Sequence, residues 1–556
     1  MGCTMAELVE GQWGDRRPGL LYGERRLSRH DVAAASAARA ALLADLLPHG
    51  AEPHVGVLLG NVPEFPLWLG AAACAGAAVV GVNPTRRGAE LARDITHTEC
   101  ALLVTERAHL PLLRGLALPL PRERILVVDD PAYAALLRRY EDAGPPRGGR
   151  IRPGSRLLLY FTSGSTGAPK AVVVSQGRLA DAGASLSGSL GLGPDDVHYL
   201  CMPLFHGNAV MAGWAPALAG GGAVALRRSF SASRFLPDVR AYGATYFTYV
   251  GRAVQYLLAT PERPDDRDHR LRRGFGTEAG AVDAARFAER FGVPLTEGYG
   301  SSEGGAAIQR SPGTPPGAVG RAAPGADLAV VDPATGAERP RAVLDAAGRL
   351  LNGDEAIGEL VNRGSSRFEG YWRNPEAVAA RTRDGWYWTG DLFFRDTEGW
   401  FHFAGRADDR LRVDGENLAA AVVENVLARF PAAAAVAVYA VPDPVSGDQV
   451  MAALALREGA AFDPGAFAAF LAAQADLSTK SAPRFVRVVP RMPVTATNKV
   501  RRAALRREGF RCPDPVWWSP PGEGPCGAAY RRFTAADLAS LLERYRTQDR
   551  AGLLDR

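Results

Sequence analysis

The sequence predicts an α/β fold: a large N-terminal domain of parallel sheets and helices with a small barrel-like section, followed by a smaller α+β C-terminal domain. Three observations predict it. Over roughly the first 400 residues, short Val/Leu/Ile runs alternate with longer Ala-rich stretches. Continuous apolar runs separated by helix-length segments mark strands buried on both faces of a parallel sheet. Between about 326 and 403 the runs become short and closely spaced, with turn residues between them. Beyond Gly405-Arg406-Ala407-Asp408-Asp409 a new helix, strand, helix, strand succession begins, large enough to fold as its own unit. The expected domains are therefore 1–405 and 406–556.

Strands of the parallel sheets are expected at 54–59, 78–82, 101–105, 124–128, 156–161, 223–226 and 245–249. The stretch 65–82 carries no charge and just reaches the length of a membrane-span candidate. Ala and Gly dominate it and Pro66 interrupts it, so it reads as a buried helix over 67–75 and a buried strand over 78–82, not a transmembrane segment. Shorter antiparallel strands are expected around 326–332, 358–361 and 399–403. In the C-terminal unit, helices at 418–427 and 464–471 alternate with strands at 435–441 and 484–489. The Pro- and Gly-rich tail 512–527 reads as an arm or loop, and 535–545 as a surface helix.

Composition narrows the class. Of 556 residues, 47% are hydrophobic and 22% charged, far too apolar for a disordered chain. The net charge of +5 comes without a basic cluster, so no nucleic-acid partner is expected. Six scattered cysteines (Cys3, Cys74, Cys100, Cys201, Cys512, Cys526) form no C-x-x-C pair, which argues against a disulfide framework or zinc site. A reducing, cytoplasmic location is expected. The opening Met1-Gly2-Cys3-Thr4-Met5-Ala6 leads into polar sequence, not a secretory core, and Ala6 stands where myristoylation needs Ser or Thr. The 62 glycines and 40 prolines exceed ordinary usage, implying many turns or tightly approached backbones.

The densest chemical signal follows the strand at 156–161: Thr162-Ser163-Gly164-Ser165-Thr166-Gly167-Ala168-Pro169-Lys170. Glycines let backbone N–H groups approach an anion, hydroxyls donate hydrogen bonds, and the lysine supplies a mobile positive charge. That is a phosphate cradle. The Walker A spacing is absent, as is the G-x-G-x-x-G dinucleotide turn. A plain surface loop is the bland alternative, hard to hold where the loop sits directly on a buried strand.

With Tyr160 and Phe161 in front, this loop resembles the signature of the adenylate-forming superfamily of acyl-CoA synthetases, adenylation domains and luciferases. Four more segments occur in that family's order. Glu297-Gly298-Tyr299-Gly300-Ser301-Ser302-Glu303 is similar to its Y-G-x-T-E segment, and Tyr387-Trp388-Thr389-Gly390-Asp391-Leu392 to its Y-x-T-G-D segment. Gly405-Arg406-Ala407-Asp408-Asp409 resembles its hinge, and Pro493-Val494-Thr495-Ala496-Thr497-Asn498-Lys499 its C-terminal lysine loop. The resemblance spans nearly the whole chain.

It implies roles that suit the residue types. Asp391 would accept both ribose hydroxyls in charge-assisted bonds, with Arg406 at the ribose or phosphate; Phe403 joins the same nucleotide set. For Arg406 alone, a surface ion pair would be the default. Tyr299 would stack on adenine, flanked by the Gly276-Thr277-Glu278 turn. Ser302 would contact the α-phosphate, and Glu303 with Thr166 would hold magnesium bridging phosphate oxygens. Lys170, His206, Glu303 and Lys499 are the catalytic candidates. Lys499 would offset charge gathering at the α-phosphorus during in-line attack, and Asn498 replaces the usual glycine while tolerating left-handed backbone. Asp408 takes the hinge position about which the C-terminal domain would rotate, and Gly415 lies where a pantetheine tunnel needs no side chain.

The run Val413-Asp414-Gly415-Glu416-Asn417-Leu418, the lysine loop and the C-terminal arm look most like the fatty-acid transport protein and very-long-chain acyl-CoA synthetase branch. The resemblance places the acid against Phe205, His206, Asn208, Met211, Trp214, Tyr249 and Gly304. His206 would line or gate that pocket, and could as readily be a satisfied core histidine. Amino-acid-activating relatives carry an aspartate at this position, so an α-amino acid is disfavoured. No G-x-D-S carrier serine is present, which leaves CoA as the first acceptor. The expected reaction is ATP-dependent adenylation of a fatty or aryl acid, then transfer to CoA. Two alternatives remain: activation of nitrite to diazotise an aryl amine in natural-product biosynthesis, and a silent fatty-acid binding protein that retained the fold. A homodimer is a further expectation.

Overall fold

Strands His54–Leu58, Ala78–Gly81 and Leu102–Thr105 are buried along their whole length, as strands covered on both faces must be. The computed structural model describes residues 2–555 except 146–150, 163–169, 278, 280, 302, 312, 324, 347, 365, 407–409, 414–415, 446, 475, 478–480, 495–499, 522–527 and 549. The chain packs as two compact units, Met1–Ala307 with Ser366–Arg383, and Ile308–Ser365 with Asp384–Arg556.

Among the described residues, the first unit holds two large sheets. One has six strands in the order Ile125–Val127, Leu102–Thr105, His54–Leu58, Ala78–Gly81, Arg156–Phe161 and Ala171–Ser175. All of its pairings are parallel except the last, which is antiparallel. The other has seven, ordered Leu295–Glu297, Arg273–Thr277, Tyr246–Val250, Val197–Leu200, Ala223–Leu226, Pro18–Tyr22 and Arg25–Ser28. It too is parallel until its final antiparallel pair. Both sheets contribute to one apolar cluster, with Trp68, Phe235, Phe247 and Phe287 among its largest side chains.

The charge-free stretch forms helix Glu64–Ala75, buried from Phe65 to Ala73, and strand Ala78–Gly81. Gly76, at φ +69°, closes the helix in the left-handed region. Among the described residues no helix is long and apolar enough to cross a membrane.

The second unit opens with an antiparallel sheet. Leu328–Val331 pairs with Gly358–Asn362, which pairs with Trp386–Arg395, itself paired with Phe401–Arg406. A five-stranded sheet follows, ordered Ala433–Pro442, Asp448–Leu456, Phe485–Val489, Val516–Trp518 and Arg531–Arg532. Its one parallel pair, Asp448–Leu456 with Phe485–Val489, has helix Pro464–Ala472 in the connection between the two strands. Helix Ala535–Thr547 closes the chain with Tyr545 fully buried.

Two local expectations change. The helix expected at 418–427 starts at Ala420, because Leu418 pairs with Leu411 in the hairpin Arg410–Val413/Glu416–Ala419 and both leucines are buried. Part of the tail expected as an arm or loop is a strand, Val516–Trp518, whose Trp518 stacks on Phe485 at 5.9 Å. The packing units also do not divide at 405/406. Ala404 shares an apolar cluster with Ala419 and Val422, and a side chain at Gly405 would press on Ala421. The antiparallel section therefore packs with the C-terminal residues.

Candidate active site

In the first unit the candidate residues gather where parallel strands end, the usual ligand-binding edge of an α/β sheet. The phosphate loop leaves strand Arg156–Phe161 and returns at once in Ala171–Ser175. Its base is closed by the Thr162 N–H, which donates to the Lys170 carbonyl at 3.2 Å. Ser163, Gly164, Ser165, Thr166 and Gly167 lie outside the described residues. The loop is followed by a strand and not a helix, so no helix N-terminus stands at its end.

Strands Arg273–Thr277 and Leu295–Glu297 are parallel neighbours with Gly276 opposite Glu297. The Gly276-Thr277 and Glu297-Gly298-Tyr299 segments thus emerge side by side. A side chain at Gly276 would collide with the Tyr249 carbonyl, so only glycine lets strand Arg273–Thr277 close up on its other neighbour, Tyr246–Val250. Glu297 accepts from the Ala279 N–H at 2.6 Å; Glu278 lies outside the described residues. Farther along, the Ser301 hydroxyl oxygen is buried without a protein partner among the described residues, a donor left for something else. Gly300 is exposed, and Ser302 lies outside the described residues.

Glu303 is buried, and the Tyr371 hydroxyl donates to its Oε1 at 2.9 Å. Gly304 follows at φ +69°, with the Arg178 guanidinium packed where a side chain would stand. Arg178 reaches there from the first turn of helix Gln176–Leu190, where its side chain donates to the Val173 carbonyl at 3.0 Å.

The expected acid-pocket residues are also brought together. Phe205 and His206 lie ring to ring, centroids 4.4 Å apart. They lead into the short helix Gly207–Ala209, which carries Asn208, and then the π-helical turn Val210–Trp214. Such π-turns recur at functional sites. Met211 projects from that turn and its Sδ accepts from the Tyr160 hydroxyl at 3.1 Å. Burial pushes the Tyr160 phenol above its ordinary pKa. Trp214 and Tyr249 are buried, and the Tyr249 hydroxyl donates to the Thr296 carbonyl.

In the second unit, Asp391 stands opposite Arg406 in the strand register, and its Oδ1 lies 3.0 Å from Arg406 Nε. The backbone around Asp391 is clamped from both sides. The Glu359 carboxylate accepts the Gly390 N–H at 2.8 Å, and the Thr389 hydroxyl oxygen accepts the Asp391 N–H at 3.1 Å. Phe403, exposed on the neighbouring strand, packs edge-on against Phe393. Asp408, Gly415 and Lys499 lie outside the described residues. The lysine loop springs from a closed base, where Val494 bridges Val500 and the Arg501 N–H donates to the Pro493 carbonyl at 2.9 Å. Arg502 anchors that base through an ion pair with Glu424 at 2.7 Å.

Two residues that sequence reasoning did not single out contact the candidate residues, Arg178 and Tyr371, and Tyr160 gains a contact beyond its place in the loop signature. Tyr160 opens the loop signature, and its hydroxyl contact with Met211 is what the structure adds. The others carry no local signal, since each reaches its partner through tertiary packing.

The AMP-binding enzyme family profile matches residues 11–372, and the profile of the AMP-binding enzyme C-terminal domain matches 422–499. The chain is 52% identical over 553 residues to steroid-22-oyl-CoA synthetase of Rhodococcus jostii, covering 99% of each chain. It is 46% identical over 505 residues to the medium/long-chain-fatty-acid–CoA ligase FadD17 of Mycobacterium marinum, covering 91% of this chain and 95% of the other. The fold matches ATP-bound MatB from Rhodopseudomonas palustris with a TM-score of 0.79 at 23% identity, over 91% of this chain and 98% of that one. Nitrite activation and silent binding gain no support from these relatives. Its signature segments, its two-part fold and these matches agree: the chain belongs to the AMP-binding enzyme family of adenylate-forming ligases.

Proposed function

We propose that this chain is an acid–CoA ligase for a bulky apolar acid, a steroid bearing a side-chain carboxylate. The observation that carries the reading is the 52% identity along essentially the whole length of steroid-22-oyl-CoA synthetase. The apolar, aromatic surroundings of His206, with Phe205, Met211 and Trp214 in its own segment, support an apolar acid. A medium- or long-chain fatty acid is the second reading, supported by the 46% identity to FadD17.

In the first half-reaction the acid carboxylate attacks the α-phosphorus of ATP and pyrophosphate leaves. Asp391 and Arg406 hold the ribose, Tyr299 the adenine, and the 162–170 loop the departing phosphates. Lys499 offsets the charge that builds on the α-phosphoryl oxygens. In the second, the CoA thiolate attacks the acyl carbon and AMP leaves. Rotation of the C-terminal part of the chain about Asp408 would exchange Lys499 for Gly415 at that stage. A single buried carboxylate fits magnesium, which takes one or two carboxylates together with substrate phosphates. Glu303 and Thr166 would hold it, and when bound it neutralises phosphate charge. The reaction is carried out in the cytoplasm.

An acid panel tests this reading. Pyrophosphate release should be strongest with a steroid C22 acid, weaker with C8–C18 fatty acids, and absent with nitrite and an aryl amine. Fatty acids outrunning the steroid acid would favour the second reading, and no release with any acid would sink both. Lys499→Ala should lower adenylation about a hundredfold or more while sparing CoA transfer from supplied acyl-adenylate. Equal loss in both half-reactions would contradict the rotation.

A further inference from the structure

The segment 202–207, which carries Phe205 and His206, follows strand Val197–Leu200 of the seven-stranded sheet. It is gripped at three points from the six-stranded sheet. At Gly81, the end of strand Ala78–Gly81, a β-carbon would come within 2.8 Å of the Phe205 carbonyl oxygen. At Gly207, a side chain would run into the Tyr160 ring, which projects from strand Arg156–Phe161. These two grips are matters of shape. The third is polar. Asn61, just beyond strand His54–Leu58, donates from Nδ2 to the Met202 carbonyl at 2.8 Å and accepts the Leu204 N–H on Oδ1 at 2.9 Å.

Asn61 is 3% exposed, and Met202 and Leu204 are buried beside it. A primary amide offers a donor and an acceptor in one plane, as a peptide group does. Asn61 therefore pairs with alternate residues of the segment much as a neighbouring strand would. Without it, a buried carbonyl and a buried N–H would lose their partners, a cost that drives a segment to shift until both are satisfied. The Phe205–His206 ring pair would shift with it, because His206 is only two residues from the Leu204 bond and caps the short helix Gly207–Ala209 that precedes the π-helical turn.

We infer that Asn61 is a positioning residue for the acid site, its side-chain amide tying the two sheets together so that the Phe205–His206 segment is held for the acid. The inference rests on the proposed assignment of that segment to the acid. Among the described residues the Asn61 side chain bonds to Met202 and Leu204, so its effect is expected on the acid and not on ATP.

The full-length chain tests this by pyrophosphate release, titrating a steroid C22 acid and ATP separately. Asn61→Ala should raise KM for the acid about tenfold, in line with the sensitivity of catalysis to displaced positioning groups, with KM for ATP within about twofold. His206→Ala should also raise the acid KM, and the double variant should be no worse than the more severe single one, the non-additivity expected of residues acting through one another. Equal rises in both KM values, or full additivity, would overturn the inference. If His206→Ala leaves the acid KM unchanged, the assignment of the segment fails, and with it this inference. If His206→Ala responds while Asn61→Ala does not, only the positioning role fails. Asn61→Ser, which keeps one of the two bonds, carries the same test with a smaller rise should Asn61→Ala not fold.

Discussion

Glu303 in the first unit and Asp391 in the second are both buried carboxylates, yet their surroundings treat charge differently. Glu303 accepts from the neutral phenol of Tyr371. Asp391 faces the guanidinium of Arg406, whose side chain is half exposed. A phenol orients a carboxylate and leaves its charge in place, whereas a guanidinium orients it and compensates the charge. The first arrangement suits a group that must meet a cation. The second suits one that exchanges an existing donor for ligand hydroxyls. Two acids of similar burial thus sit beside different protein partners, and the roles proposed for them differ accordingly.

Substitutions can break or sharpen this contrast. The largest effect is expected from Glu303→Gln, which preserves shape and removes the charge. Acid-dependent ATP–pyrophosphate exchange should fall about 10²–10³-fold, and calorimetry should no longer show magnesium tightening ATP binding. A retained magnesium response would place the cation elsewhere. Asp391→Asn should raise KM for ATP about tenfold or more, matching the roughly 1.5–3 kcal/mol of a hydrogen bond to a charged group, with the acid KM little changed. If both KM values rise together, Asp391 supports the fold of its sheet and not the ribose. The smallest effect belongs to Tyr371→Phe, about 1 kcal/mol of stability by urea unfolding and a loss of activity of only about twofold to fivefold. A loss as large as that of Glu303→Gln would mean that the phenol does more than orient.

Much of this was legible in the sequence. Runs such as 156–161 and 223–226 became the strands Arg156–Phe161 and Ala223–Leu226, because an uninterrupted apolar run has few other ways to be buried. The charge-free stretch resolved as helix and strand for the same reason. Errors arose where pairing overrides local pattern. Leu418 fits the apolar periodicity of the following helix, but pairing with Leu411 holds it in a hairpin. Val516–Trp518 lies in a Pro- and Gly-rich tail, and becomes a strand because Phe485–Val489 offers it an edge.

The motif segments could likewise be found from residue type and spacing alone, since a chain needs small, hydroxyl-bearing and charged residues at set intervals to meet a nucleotide. The glycine excess is partly placed by the same logic, with Gly276 admitting the Tyr249 carbonyl and Gly304 admitting Arg178. What holds those segments was not legible. Tyr371 lies 68 positions from Glu303, and Asn61 lies 141 and 143 positions from the two residues it pairs with. An asparagine after a strand looks the same whether it faces water or clamps a distant segment. By itself the sequence determined the family, the order of the strands along the chain and the segments proposed to meet ATP, because these depend on local composition and spacing. Only the tertiary structure decided which side chains orient them, because that depends on which strand ends the two sheets bring together.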